Sequence, residues 1–276
     1  MKLRSLLIIA LEFVFSVCVF AQISGVPIST EAELTEQLKL APCKNTDRFD
    51  AAQKLFRQAG ATDGDMTVDK MNKIQNLVVT KKGKSLETII VGAHYDKVDS
   101  GCGAIDNWTG LVIIANLYRT MKDVQTEKTY LFVAFDKEEE GLIGSNAMAK
   151  NIPKETRPNY CAMVNFDSFG FGYPQVLDNT STPSMIEIAE KLAKEINMQF
   201  YHASLSGTAD ADSSSFKDKG IPAVTFHGLS NDWQRYLHSS NDKFENLKIS
   251  SVFVGYQFAI RYLVKLDAMG CGDLRK

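Results

Sequence analysis

Asp136-Lys137-Glu138-Glu139-Glu140-Gly141-Leu142-Ile143-Gly144-Ser145 directly follows Thr129-Tyr130-Leu131-Phe132-Val133-Ala134-Phe135. The second of these stretches is an aromatic and aliphatic run that reads as a buried strand. Carboxylates crowded at the end of such a strand are poor packing material. They repel one another, and each costs free energy to desolvate unless a cation or a donor compensates. Beyond them, Gly141 and an apolar segment to Ala149 read as a helix. The acids therefore sit where a strand ends and a helix begins, which is where open α/β sheets bind ligands. A solvated acidic turn is the plainer reading of Glu138 to Glu140 taken alone, so the rest of the chain has to decide.

Working outward, other apolar runs end in the same way. Residues 74–80 and 88–91 read as strands on either side of the turn Lys81-Lys82-Gly83-Lys84, and together they look like a hairpin. The second ends in Gly92-Ala93-His94-Tyr95-Asp96. A Gly-rich loop then leads through Asp106 to a helical run over 111–121, so Asp106 lies just before a helix N-terminus, where a carboxylate is favoured. Residues 162–166 form another strand, ending in Asp167-Ser168-Phe169-Gly170. Short strands follow at 175–177 and 223–226, with a helix over 185–196 between them. After the polar loop Leu237-His238-Ser239-Ser240-Asn241-Asp242 comes a last helix over 247–266. Strands alternating with helices predict a three-layer α/β/α sandwich, and the expected hairpin makes its central sheet mixed, though mostly parallel.

Towards the N-terminus, 22–75 reads as a helical cap on a main core of 76–276, with helices near Ser29-Thr30-Glu31 and around Phe49 to Phe56. No linker or repeat divides the chain, so 22–276 reads as one domain. Lys2 and Arg4 precede an apolar run from Leu6 to Phe20, followed by Val19-Phe20-Ala21: the pattern of a secretory signal peptide cleaved near Ala21. A membrane anchor is the competing reading, but the run is short for a span and carries Glu12. The expectation is a secreted or periplasmic protein with no membrane attachment after cleavage. Cys43, Cys102, Cys161 and Cys271 would remain, an even number that permits two disulfides in any of three connectivities. No Cys-x-x-Cys occurs, which argues against a thiolate zinc site. A formal net charge of −2 gives no reason to expect a nucleic-acid partner.

His94, Asp96, Asp106, Glu138, Glu139, Asp167 and His238 all stand at strand ends or in the loops after them. In an α/β sheet such positions share one edge. Imidazoles and carboxylates converging on one pocket make a mixed nitrogen and oxygen set that suits zinc. The charges of two zinc ions would be balanced by Asp106, Glu139, Asp167 and a bridging hydroxide, and without a metal the cluster would repel itself.

In the order and context of these motifs the chain resembles the co-catalytic dizinc aminopeptidases and related exopeptidases, over about residues 74–266. The resemblance implies that His94 of His94-Tyr95-Asp96 binds one zinc, with Asp96 orienting it. It implies that Asp106 bridges both ions and that Asp167 of Asn165-Phe166-Asp167 joins His94. It implies that Glu139 and His238 share the other ion and that Glu138 is the general base. Peptides with a free N-terminus would be the substrates, cleaved by metal-assisted amide hydrolysis through a shared water. One departure is that many members carry Ser-Asp-His where this chain has Ala211-Asp212-Ser213. Asp212 matches, and the His is absent.

Plainer readings remain for several of these residues. His227 also follows a strand and competes with His238 on spacing; the pattern favours His238 and leaves His227 as a pocket or buried, hydrogen-bonded histidine. His202 reads as structural or exposed, Glu140 as a helix-start residue, and Asp136 as either a supporting group or a cap. The glycosylation sequons at Asn107 and Asn179 read as chance matches. Two rival functions are kept. One is a glutaminyl cyclase-like acyltransferase with a single zinc, which shares the fold but differs after the Glu-Glu pair. The other is a non-catalytic binding module. Oligomeric state and side-chain specificity are not legible.

Overall fold

In a computed structural model of the chain, residues 26–71, 73–204 and 210–275 are described. Their strands are β1 (Met66–Met71), β2 (Ile74–Lys81), β3 (Thr88–His94), β4 (Thr129–Phe135), β5 (Tyr160–Phe169), β6 (Gln175–Leu177), β7 (Tyr201–Ala203) and β8 (Ala223–Gly228). They form one mixed sheet in the order β1-β2-β4-β3-β5-β8-β6-β7. β4, β3, β5 and β8 run parallel to one another. β2 is antiparallel to both β1 and β4, and β6 is antiparallel to β8.

Successive strand residues point to opposite faces, and both faces are covered. Leu77, Val79, Ile89, Val91, Tyr130, Phe132, Ala162 and Val164 pack on one side. There they meet α1 (Glu31–Leu38), α2 (Asn45–Gln58), α3 (Thr109–Met121), α5 (Pro183–Glu195) and α7 (Ile249–Ala268). Val78, Ile90, Val133, Phe135 and Met163 pack on the other side, against α4 (Ile143–Asn151) and α6 (Asp212–Lys217). The three-layer sandwich and the mixed sheet are as the alternation of elements predicts. α1 starts where expected: Thr30 accepts the Glu33 amide while Glu33 accepts the Thr30 amide, a reciprocal cap.

The expected hairpin does not form. β2 and β3 are separated by β4, and the antiparallel partner of β2 on its outer side is β1, a strand inside the stretch read as helical cap. β1 is a half-exposed edge strand, Met-Thr-Val-Asp-Lys-Met, whose charged residues conceal its alternation. The turn expected at Lys81 to Lys84 falls later: β2 runs to Lys81 and the chain bends over 84–86, where Lys84 and Ser85 donate their amides to the Thr126 and Glu127 carbonyls just before β4.

Of the three possible connectivities, the disulfides are Cys43–Cys102 and Cys161–Cys271. The first fastens the entry to α2 onto the Gly-rich loop after β3. Among the described residues no helix is long and apolar enough to cross a membrane. The stretch read as a signal peptide lies outside the described residues. For function, the important consequence of the fold is that β3, β4, β5 and β8, being parallel, deliver their C-terminal ends to one edge.

Candidate functional site

His94 is the last residue of β3 and is buried. Its Nε2 lies 3.1 Å from Asp106 Oδ1, 3.6 Å from Asp167 Oδ1 and 4.0 Å from Glu138 Oε2. On the other side of the ring, Nδ1 lies 3.5 Å from Asp96 Oδ1. Asp96 has a second task. It accepts the main-chain amides of Glu138 at 3.0 Å and Glu139 at 3.1 Å, so one carboxylate sets both His94 and the Glu-Glu turn. Burial works against its charge, but His94 and these two amides outweigh that and hold Asp96 below the usual carboxylate range.

The turn after β4 owes its shape to two glycines. Gly141 has φ +104°, a left-handed backbone that other residues adopt only at a cost. Gly144 donates to the Asp136 carbonyl, and a Cβ there would stand 2.2 Å from that oxygen. The chain thus doubles back tightly and presents Glu138 and Glu139 on the cavity side, while α4 begins only at Ile143. Glu140 is exposed and pairs with Lys137, ahead of the helix rather than at its start. Asp136 closes the base of the turn by accepting the Gln75 amide.

A second imidazole completes the group. His238 Nε2 lies 3.1 Å from Glu139 Oε2 and 3.3 Å from Asp106 Oδ2. Hydrogen bonding to the Asp106 and Glu139 carboxylates pushes His238 up to about 10. Burial pushes Glu138 well above the carboxylate range; His94 opposes the shift, and the charges of Asp167, Asp212 and Asp106 add to it. Glu139 Oε1 is buried with no partner. The fully buried Asp212 also has both oxygens unpartnered, and the nearby Ser145 hydroxyl is engaged with Ser215 and Leu142. Burial raises Asp212 to about 7. Orphaned buried oxygens beside crowded carboxylates are the signature of a site built around positive charge. Candidate ligand atoms of His94, Glu138 and Asp167, and of His94, Asp106 and Glu139, each gather within 4.8 Å.

All seven residues singled out in the sequence therefore meet at one edge. His202 does not join them; it is part-exposed and paired with Asp178 and Glu190. His227 does reach the cavity, but it is not hydrogen-bonded, contrary to one of its two expected roles. Asn107 is wholly buried, which bars a glycan: it accepts the Gly110 and Ser168 amides and donates to the Phe166 carbonyl. Two supporting residues escape a reading by motif. Asp242 accepts the amides of Ile105 and Asp106. Arg48, buried in α2, donates to the carbonyls of Pro42, Tyr95, Cys102 and Gly103. Asp242 left a faint signal, an acid four residues after His238 in the same loop; Arg48 left none.

A cavity of about 490 Å³ opens over this group, walled by Leu177, Leu229, Trp233 and Leu237. A probable leucine aminopeptidase of Arthroderma otae is 29% identical over 238 residues, covering 78% of this chain and 63% of the relative. The chain thus spans less than two thirds of that relative's length. In fold, the LapA aminopeptidase of Legionella pneumophila superposes with a TM-score of 0.76 at 21% identity, over 90% of this chain and 74% of its own. A glutaminyl cyclase from an Acidobacteriales bacterium superposes at 0.73 and 16% identity, over 86% and 93%. The profile of peptidase family M28 matches residues 76–256, most of the described chain and every residue of the cluster from His94 to His238. The chain belongs to peptidase family M28.

Proposed function

We propose that this protein is a zinc-dependent aminopeptidase that hydrolyses the first peptide bond of substrates with a free N-terminus. The observation that carries the reading is the division of Asp106. One of its oxygens faces His94 at 3.1 Å and the other faces His238 at 3.3 Å. His94, which faces Oδ1, also has Asp167 at 3.6 Å, and His238, which faces Oδ2, also has Glu139 at 3.1 Å. Two ligand sets sharing one carboxylate fit two zinc ions, with nitrogen and oxygen donors of the kind zinc accepts. Bound zinc would polarise the scissile carbonyl and acidify the attacking water.

The chain's own groups do the rest. Asp96 holds the His94 ring with Nε2 turned to the cluster, while its bonds to the Glu138 and Glu139 amides fix the turn. Glu138, assigned here as the base rather than a ligand because it comes no nearer an imidazole nitrogen than 4.0 Å, takes a proton from the attacking water on its carboxylate and passes it to the leaving amine nitrogen. Carboxylates outnumber imidazoles along the cavity, which favours a cationic substrate N-terminus. The departure Ala211-Asp212-Ser213 places no imidazole at that position, so no substrate contact is assigned there.

Export is part of the same reading. It rests on the basic and apolar N-terminal sequence and on two disulfides, which persist in oxidising compartments. A second reading, a glutaminyl cyclase with one zinc, draws on the fold likeness to such an enzyme. Elemental analysis and an assay on aminoacyl 4-nitroanilides, with and without chelator, test the choice. About two zincs per chain and chelator-sensitive anilide cleavage are expected. One zinc together with ring closure of an N-terminal glutamine would replace the aminopeptidase reading with the cyclase.

A further inference from the structure

His227 stands on β8 with 5% of its surface exposed, and neither ring nitrogen has a hydrogen-bond partner. It lines the same cavity as the cluster, beside Thr225, Leu229, Trp233 and Leu237. Buried polar atoms are nearly always bonded, so a bare imidazole in a cavity wall calls for a visiting partner. Its neighbours are already committed. The Thr225 hydroxyl is engaged with Ser213 at 2.6 Å. The side-chain amide of Gln175, which lies opposite His227 on β6, donates to the Leu229 carbonyl. Burial, with no charged group to offset it, pulls His227 down to about 4. At neutral pH the ring is therefore uncharged, with one nitrogen that donates and one that accepts.

The walls around this ring are apolar. Leu229 and Leu237 pack with Ile105, and Trp233 packs against them. A visiting side chain thus meets hydrocarbon first and a neutral hydrogen-bonding group beyond it. We propose that His227 forms the floor of the subsite for the substrate's N-terminal side chain and selects residues with an apolar stem and an uncharged hydrogen-bonding end, tyrosine and glutamine above their apolar counterparts. The proposal rests on the aminopeptidase reading and refines it. An aliphatic side chain fills the walls but leaves both ring nitrogens, which are already shut off from water, without a partner. A charged end has to shed its own water against a ring that carries no countercharge.

The test compares matched substrates on the zinc-loaded protein: tyrosyl against phenylalanyl 4-nitroanilide, and glutaminyl against norleucyl 4-nitroanilide. Wild type should favour the polar member of each pair in kcat/KM by about 10-fold or more. His227→Phe should bring both ratios to about 1, and His227→Gln, which keeps a donor and an acceptor, should restore part of each preference. A wild-type ratio near 1, or a ratio that survives His227→Phe, overturns the proposal. Ligand binding separates this outcome from failure of the enzyme reading. L-tyrosinol should move the His227 ring resonances in NMR, and L-phenylalaninol should move them far less. If no anilide is cleaved, the aminopeptidase reading falls, and equal shifts from the two amino alcohols would discard the subsite as well.

Discussion

Asp242 accepts the main-chain amide of Ile105 at 2.6 Å, across 137 positions of sequence. Its other oxygen takes the next amide, that of Asp106, at 3.3 Å. The loop carrying one imidazole of the cluster thereby holds the backbone of the carboxylate that both imidazoles share. Burial and the charge of Asp106 raise Asp242 to about 7, against the pull of those two amides and Arg48. Asp242→Asn puts an NH2 group opposite one of two donors and so breaks one bond. Zinc affinity should fall about 10–100-fold with the fold intact. Dialysis against graded chelator, followed by metal analysis and circular dichroism, reads both quantities. Unchanged zinc retention would mean that Asp106 is positioned without this support.

Glu138 and Glu139 are neighbours with different surroundings. Glu139 lies against His238 at 3.1 Å, whereas Glu138 approaches a ring nitrogen no closer than the 4.0 Å to His94. Replacing Glu138, the proposed base, should therefore separate chemistry from metal binding. Glu138→Gln is expected to lower kcat by about 10²–10⁴-fold and leave zinc content unchanged. Glu139→Gln should lose metal as well as turnover. Near-normal kcat in Glu138→Gln would remove it from proton transfer.

The Cys43–Cys102 bridge and Arg48 act on one segment. Arg48 donates to the carbonyls of both Cys102 and Gly103, and the bridge ties the same turn to the entry of α2. Replacing both cysteines by alanine removes a constraint on a loop of 59 residues. A loss of about 2–4 kcal/mol is expected. Denaturant titration measures that loss, and the same protein should release zinc faster because the Asp106 loop is freed at its start. Loss of stability with unchanged zinc release would confine the bridge to a structural role.

How much of this could be read from sequence follows from how local each signal is. β3, β4 and β5 are central, buried strands, so their apolar runs stand out, and His94, Glu138, Glu139 and Asp167 could be placed at their ends. β1 is a charged edge strand and was absorbed into the helical cap. The hairpin expectation failed because adjacency in sequence does not exclude insertion of a later strand, here β4, between two earlier ones. Asp242, Arg48 and the disulfide pairing depend on contacts between distant segments that no local pattern records. The left-handed φ of His238 is likewise a property of the folded loop, invisible in Ser-Ser-Asn-Asp.

His202, away from the cluster, gives a pH dependence free of metal chemistry. Its Nδ1 lies 2.9 Å from Asp178 Oδ1 and its Nε2 2.9 Å from Glu190 Oε1. The hydrogen bond to Asp178, with burial opposing and the charges of Asp178 and Glu190 assisting, raises the His202 pKa in the folded state. The folded protein therefore holds this proton more tightly than the unfolded chain, whose histidines titrate near about 6.5. The sign follows: the stabilisation is complete below the unfolded value and is lost as pH rises through the folded one. His202→Gln should thus lower Tm relative to wild type at about pH 5.5 and converge on wild type once pH has passed the raised folded-state pKa. The effect should be modest, because exposed pairs are screened. A Tm difference that grows with rising pH would show that the ring is held neutral, with its two carboxylate neighbours contributing nothing to the native state.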